Sequence, residues 1–351
     1  MKETAQRAAI ATLVAGLIIV VALALWKLKL VLALLFFALI IAAAIRPSIE
    51  WLRRHGVPGP AGLALHYLVF LGVLVAAFSF AVPSALNQVN HALSPSGKAE
   101  IAQATKKSTG VKHQVLLALQ KRLKHLPSKS ALLKPAAAVG VKAFEAILAI
   151  FFTFAAAAYW IFERDKTVDV VASLLPRPKR KLMRDTWDLI DAKLGAFVRG
   201  QVLLIALVGT TLSLLFWAIG EPYWLLVGAF AGLVEIVPVI GPLAAGALAV
   251  GVGFTASLHV ALFAVACVIG VRLLEDYLIM PKVLGDAVGL SPLLVLVSVT
   301  MVGILFSGWA VLFAVPLAAI FVTLFDVILR DVDPAEEEVP AVIFSSRDQE
   351  A

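Results

Sequence analysis

A chain of 351 residues that is 61% hydrophobic and only 15% charged, with a mean hydropathy of +0.97, lies far outside the globular range and reads as an integral membrane protein. Its formal charge of +7 sits in stretches that flank apolar runs, where attraction to lipid headgroups accounts for it and nucleic-acid binding does not. The single cysteine, Cys267, lies inside an apolar run and excludes both an internal disulfide and a cysteine metal cluster.

The apolar runs are continuous and rich in Leu, Ala, Val and Phe, without the alternation of a membrane barrel, so the expected fold is an all-α polytopic membrane protein. About eight membrane segments are expected. Residues 8–26 and 30–45, parted only by Lys27-Leu28-Lys29, read as a retained helical hairpin, and 61–82 as the third span, so that 1–82 forms an N-terminal helical unit. His66 and Tyr67 within that span are expected to be satisfied inside the bundle.

Residues 83–135 form a basic polar insert with nine Lys or Arg and one acid, Glu100. Val111, Val115, Leu119, Leu123 and Leu126 fall on one helical face there, which suits either a headgroup surface or a small extracytoplasmic cap. Residues 136–162 are the fourth span. Residues 163–199 again hold nine Lys or Arg, and Leu182, Leu189, Ile190, Leu194, Phe197 and Val198 recur at helical spacing. That pattern predicts a cytoplasmic, basic amphipathic helix lying along the membrane and leading into the span at 201–219. Basic residues in the short loops place both termini in the cytoplasm.

Residues 200–329 carry the expected transport core. Two long apolar runs, 222–258 and 292–329, each begin with a proline after a polar residue, Glu221 or Ser291, and each is interrupted near its middle. A straight helix of about 37 residues would reach roughly 55 Å, well beyond a hydrocarbon core of roughly 30 Å. Each run is therefore a bent span or a re-entrant hairpin, and main-chain groups freed at the breaks must be covered by protein or line a wet cavity. The tetrapeptide Pro-Leu-Ala-Ala, at 242–245 and again at 316–319, hints at an internal repeat. Beyond residue 330 the tail is acidic and carries Pro334 and Pro340, a composition expected to be disordered.

Ionisable groups inside apolar runs are candidate functional groups because keeping them there costs a few kcal/mol on insertion scales. Glu235 precedes Pro238, and Gly241-Pro242 stops regular helix, leaving carbonyls available to a cation, a proton relay or a polar solute. Arg272, Glu275 and Asp276 stand at i, i+3 and i+4, so one helical face can hold a paired charge set, either as a stabilised span end or as a gate. Gly228-x-x-x-Gly232 permits close helix approach but is a common pattern. No P-loop, His-Glu-x-x-His or Gly-x-Ser-x-Gly pattern occurs, which argues against ATP drive and an enzyme; no cofactor or metal is expected.

The stretches Glu235-Ile-Val-Pro-Val-Ile-Gly-Pro242, Glu275-Asp-Tyr-Leu-Ile-Met-Pro-Lys-Val-Leu-Gly285, Leu290-Ser-Pro292 and Gly308 to Pro316-Leu317 resemble the autoinducer-2 exporter family of bacterial membrane proteins. The resemblance implies a homo-oligomeric secondary transporter whose core includes Glu235, Pro238, Gly241, Pro242, Asp276, Pro281 and Gly285. Arg272, Glu275, Lys282 and Gly308 complete the candidate set. Members export autoinducer-2 or exchange sodium for protons, so the expected ligands are a small polar solute, H+ or Na+, alongside membrane lipids. The family often has an amide where Asp276 stands, and an extra acid there favours a cation or proton role. It often has an aromatic at Val239, so stacking of a ring substrate loses its support. A membrane scaffold or assembly factor, binding partners through its basic segments, is the remaining class.

Overall fold

The computed structural model describes residues 2–94, seven scattered positions between 99 and 117, and residues 136–237, 240–279, 290–306, 308–337, 339–340 and 342. Among them the regular elements are all helical. The amphipathic face expected in the insert lies outside the described residues.

Helices α1 (Lys2–Lys27) and α2 (Lys29–Arg54) meet at Leu28. Bonds of helical spacing cross the junction, from Leu28 N to Ala24 O and from Leu32 N to Leu28 O. The helix therefore runs on with a bend, and the hairpin expected here is corrected. Lys and Leu are both good helix formers, and two charges without Gly or Pro do not break a helix. The count that placed both termini on one side used two antiparallel spans here and loses that support.

Helix α3 (Gly59–Leu93) follows and runs through Pro83. As expected, His66 is satisfied in the bundle, between Ser48 Oγ and the Gly62 carbonyl, and Tyr67 donates to Phe154 O. Helices α4 (Ala136–Ser173) and α5 (Arg177–Ala218) are each far longer than a span. They are joined by a tight turn, with Pro176 at the N-cap of α5 and Pro178 in its first turn, where proline costs no helical bond.

The charged ends of α4 and α5 are bolted together. Arg164, 9% exposed, binds Asp188 and Asp191 of α5 as well as Asp165, and Arg184 binds Asp169. Arg46 of α2 joins the set through Asp165. The single membrane-surface helix expected over 163–199 is thus corrected to two paired helical arms, because its acids and bases lie on facing surfaces and satisfy each other. These contacts define a basic end of the bundle, opposite the Lys29 end of α2.

The rest is two hairpins and a helix between them. Helices α6 (Trp224–Val234) and α7 (Ile240–Ala256) form the first, α8 (Leu258–Leu274) follows and widens into a π turn at Glu275–Ile279, and α9 (Pro292–Leu305) with α10 (Ala314–Leu329) forms the second. A 3-10 segment, Gly308–Phe313, makes the second tip. Val208, Leu212 and Phe216 of α5 pack with Val227, Ala231, Ala245, Ala249, Ala264 and Val271 into one core that binds α5 to α8 together.

The hairpins point in opposite directions. At the first tip, Gln201 of α5 donates to the Glu235 carbonyl, so this tip lies towards the basic end. At the second, Phe306 stacks near Trp26 and Phe313 packs edge-on to Phe36 and Phe37, towards the far end. The foot of α10 returns to the basic end, where Lys193 donates to Thr323. Both long apolar runs thus fold as helical hairpins rather than as single bent helices.

Of the acidic tail, expected to be disordered, the described residues Glu337 and Val342 are packed against α5. Lys193, 3% exposed, pairs with Glu337 at 2.6 Å, and Arg199 Nε donates to Val342 O while its Nη1 reaches Ala44 O of α2. Two cations buried on α5 need acceptors, and the tail supplies them.

Candidate transport site

The first hairpin turns where it does because of Gly241. A Cβ there would lie 2.1 Å from the Val234 carbonyl oxygen, so any side chain would push α7 off the end of α6. Pro242 sits in the first turn of α7, where its missing N–H breaks no helical bond. The reversal leaves Glu235 just past the end of α6, 7% exposed.

Close packing holds the hairpin against α5. A Cβ on Gly232 would lie 2.7 Å from the Gly209 Cα, and one on Gly228 would lie 2.6 Å from the Ser213 Cα. The small-residue pattern at 228 and 232 is therefore a true close crossing, with Gly209 as its counterpart on α5. This seam fixes the height of the tip. Glu235 stands level with Gln201, where α5 passes from polar to apolar sequence, and is enclosed by protein.

Arg272 closes the site from α8. Its Nη1 donates to Glu235 Oε1 at 3.1 Å and to Glu275 Oε2 at 3.2 Å, and its Nη2 pairs with Asp276 Oδ1 at 2.9 Å. The expected i+3 and i+4 pairings are present, and Glu235 joins them from another element. Glu275 is 4% exposed, while Asp276 and Arg272, at 42% and 35%, are more open. The π turn beginning at Glu275 widens the helix and aims both acids at one guanidinium, a distortion common at functional sites. One positive group thus faces three carboxyls, an imbalance that an added proton or cation would reduce.

The candidates do not all gather. Gly241, Pro242, Glu235, Arg272, Glu275 and Asp276 meet at the first tip. Gly308 opens the second tip, and a Cβ there would meet nothing within 4 Å, so it is not sterically required. Pro238, Pro281, Lys282 and Gly285 lie outside the described residues. Gln201 went unnoticed in the sequence because an amide at the start of an apolar run reads as an ordinary interfacial residue. Among the described residues no group of three or more His, Cys, Asp or Glu is placed to hold a metal ion.

Comparison with known proteins agrees with this architecture. The family profile for AI-2E family transporters matches residues 13–330. YrrI of Bacillus subtilis, named as a candidate transport protein, is 21% identical over 82% of this chain and 83% of its own length. A Mycobacterium tuberculosis protein with the same kind of name, MT0215, is 26% identical over 86% of this chain and 84% of its own. PerM of Escherichia coli K12, named as a candidate permease, is 29% identical over 45% of each chain. With six helices among the described residues long and apolar enough to cross a membrane, and a profile match that spans nearly its whole length, this multi-pass membrane protein belongs to the AI-2E family of transporters.

Proposed function

We propose that the chain is a secondary transporter that exports a small polar metabolite, of the kind autoinducer-2 represents, by alternating access, with proton movement linked to the Arg272 cluster. The observation that carries this reading is that one guanidinium holds carboxyls from two elements, the first hairpin tip and the π turn. Such a contact can exist in only some relative positions of hairpin and α8. A proton on Glu235 or Glu275 would release the arginine from that acid and loosen the tip, which couples protonation to motion. The sequence carries no nucleotide-binding motif that would supply ATP drive.

Exchange of a monovalent cation for protons is the second reading, favoured by the excess of three carboxyls over one guanidinium. A homo-oligomer in a bacterial cytoplasmic membrane is the proposed setting for either. Glu235→Gln in reconstituted vesicles separates the readings. Loss of solute efflux alone supports export, loss of proton-linked sodium flux supports exchange, and no change in either removes transport at this site in favour of a scaffold role.

A further inference from the structure

A second acid lies at the opposite end of the first hairpin from the Arg272 cluster. Glu221 occupies the connection between α5 and α6, shaped by two left-handed residues, Gly220 at φ +70° and Tyr223 at φ 59°. Its N–H donates to the Phe216 carbonyl at 2.8 Å, which tucks the residue under the end of α5. The side chain is 2% exposed, and among the described residues neither carboxyl oxygen has a hydrogen-bond partner.

The carboxyl is directed into the notch where α7 and α8 meet. A Cβ on Gly253 of α7 would stand 2.8 Å from the Ala261 Cα of α8 and 3.1 Å from Glu221 Oε2, so glycine at 253 is what lets α7 and α8 approach this closely beside the carboxyl. Among the described residues, the Cys267 thiol of α8 is near enough to interact with it. No cation faces it there, whereas every other buried acid of this core is paired with Arg272. An ionised carboxylate in such a place is an uncompensated charge away from water, and a purely structural position would be served better by an apolar residue.

We propose that Glu221 is a proton-binding site, distinct from the Arg272 cluster, which holds its proton occluded between α5, α7 and α8 and exchanges it with water when α7 and α8 part. A proton is the ligand that the surroundings suit. Gly253, Ala261 and Cys267 contribute no side-chain oxygen, while a hard metal cation calls for about six oxygen ligands. The role of this proton in coupling rests on the transport reading above; its binding does not.

Two measurements on the full-length chain in lipid vesicles test the site. The first is the infrared difference between wild type and Glu221→Gln across a pH series. A protonated-carboxyl band that titrates in the wild type and is missing from the variant supports the site, and its absence at every pH overturns it. Should the variant not fold, a carbodiimide adduct mapped to Glu221 on the wild-type chain by peptide mass, formed at neutral pH and lost at alkaline pH, serves in its place; no adduct overturns the proposal. The second measurement is solute efflux under an imposed pH gradient. Loss of gradient stimulation in Glu221→Gln, with partial recovery in Glu221→Asp, supports a coupling role, and unchanged stimulation removes it. Absence of any flux in the wild type would remove the transport reading while leaving the infrared band to decide the site.

Discussion

Arg272 donates from a single guanidinium nitrogen to Glu235, 37 residues earlier in the chain, and so ties the tip of one hairpin to the far end of the helix that follows it. The same nitrogen also serves Glu275, which makes the three groups a unit rather than a set of pairs. Arg272→Gln and Glu235→Gln should each lower the unfolding temperature in detergent. In the double variant their effects should fall short of the sum, with a coupling of about 1–3 kcal/mol for groups in one network. Strict additivity would show that this contact does not hold the tip.

The amide of Gln201 is the second tether on the same turn, reaching the Glu235 carbonyl at 3.0 Å from a position 9% exposed. Gln201→Leu keeps the volume but leaves that carbonyl unpaired, at a cost of about 1–3 kcal/mol. The opening should be local. Hydrogen exchange followed by mass spectrometry should rise over residues 232–241 with little change in α4, and an unchanged rate at the tip would assign its rigidity to the arginine alone.

What the sequence disclosed follows from the range of the forces involved. The i+3 and i+4 charges around Arg272 were readable because helical spacing alone brings them together. The break in the first run was readable too, although Gly241-Pro242, expected to stop regular helix, instead open α7 in its first turn. Its direction was not, because a hairpin and a bend share the same breaker and differ only in what the second half packs against. Charge counting served less well: Lys27 and Lys29 looked like a turn but lie in continuous helix, and Arg164 and Arg184, which looked like part of a membrane face, are matched by facing acids. Glu221 was hidden beside Pro222, because only the left-handed backbone around it turns an interfacial-looking acid inward.

The crossing of α5 and α6 depends on glycine at 228 and 232, whereas a Cβ at 209 would make only ordinary contacts from 3.4 Å outwards. Gly232→Ala places a methyl 2.7 Å from the Gly209 Cα and from the Ile205 carbonyl, backbone atoms that cannot rotate away. Overpacking of this kind costs about 1–3 kcal/mol, so the unfolding temperature should fall. Gly16→Ala is the matched control, with nothing within 4 Å of the added carbon, and should be neutral or slightly stabilising by up to about 1 kcal/mol from helix propensity. Equal behaviour of the two variants would mean that α5 and α6 do not touch at these residues.

At the basic end, the tail acts as a counterion for a lysine that the bundle cannot neutralise by itself. Lys193 Nζ lies 2.6 Å from Glu337 Oε1 and 3.2 Å from Thr323 Oγ1, and it is 3% exposed. Truncation after Arg330 removes Glu337 together with the Val342 carbonyl that Arg199 holds. It leaves two cations on α5 with one neutral acceptor each, Thr323 for Lys193 and Ala44 O for Arg199, among the contacts described above. Stripping a buried charge of its partner costs about 3–5 kcal/mol, so the truncated chain should unfold at a distinctly lower temperature. Lys193→Met in the truncated background should recover much of that loss, because an apolar side chain needs no counterion. Lys193→Met in the full-length chain should instead be destabilising, since it removes the ion pair that Lys193 makes with Glu337 at 2.6 Å. If the truncation proves neutral and Lys193→Met has the same effect with or without the tail, the tail is not the partner that keeps this lysine buried.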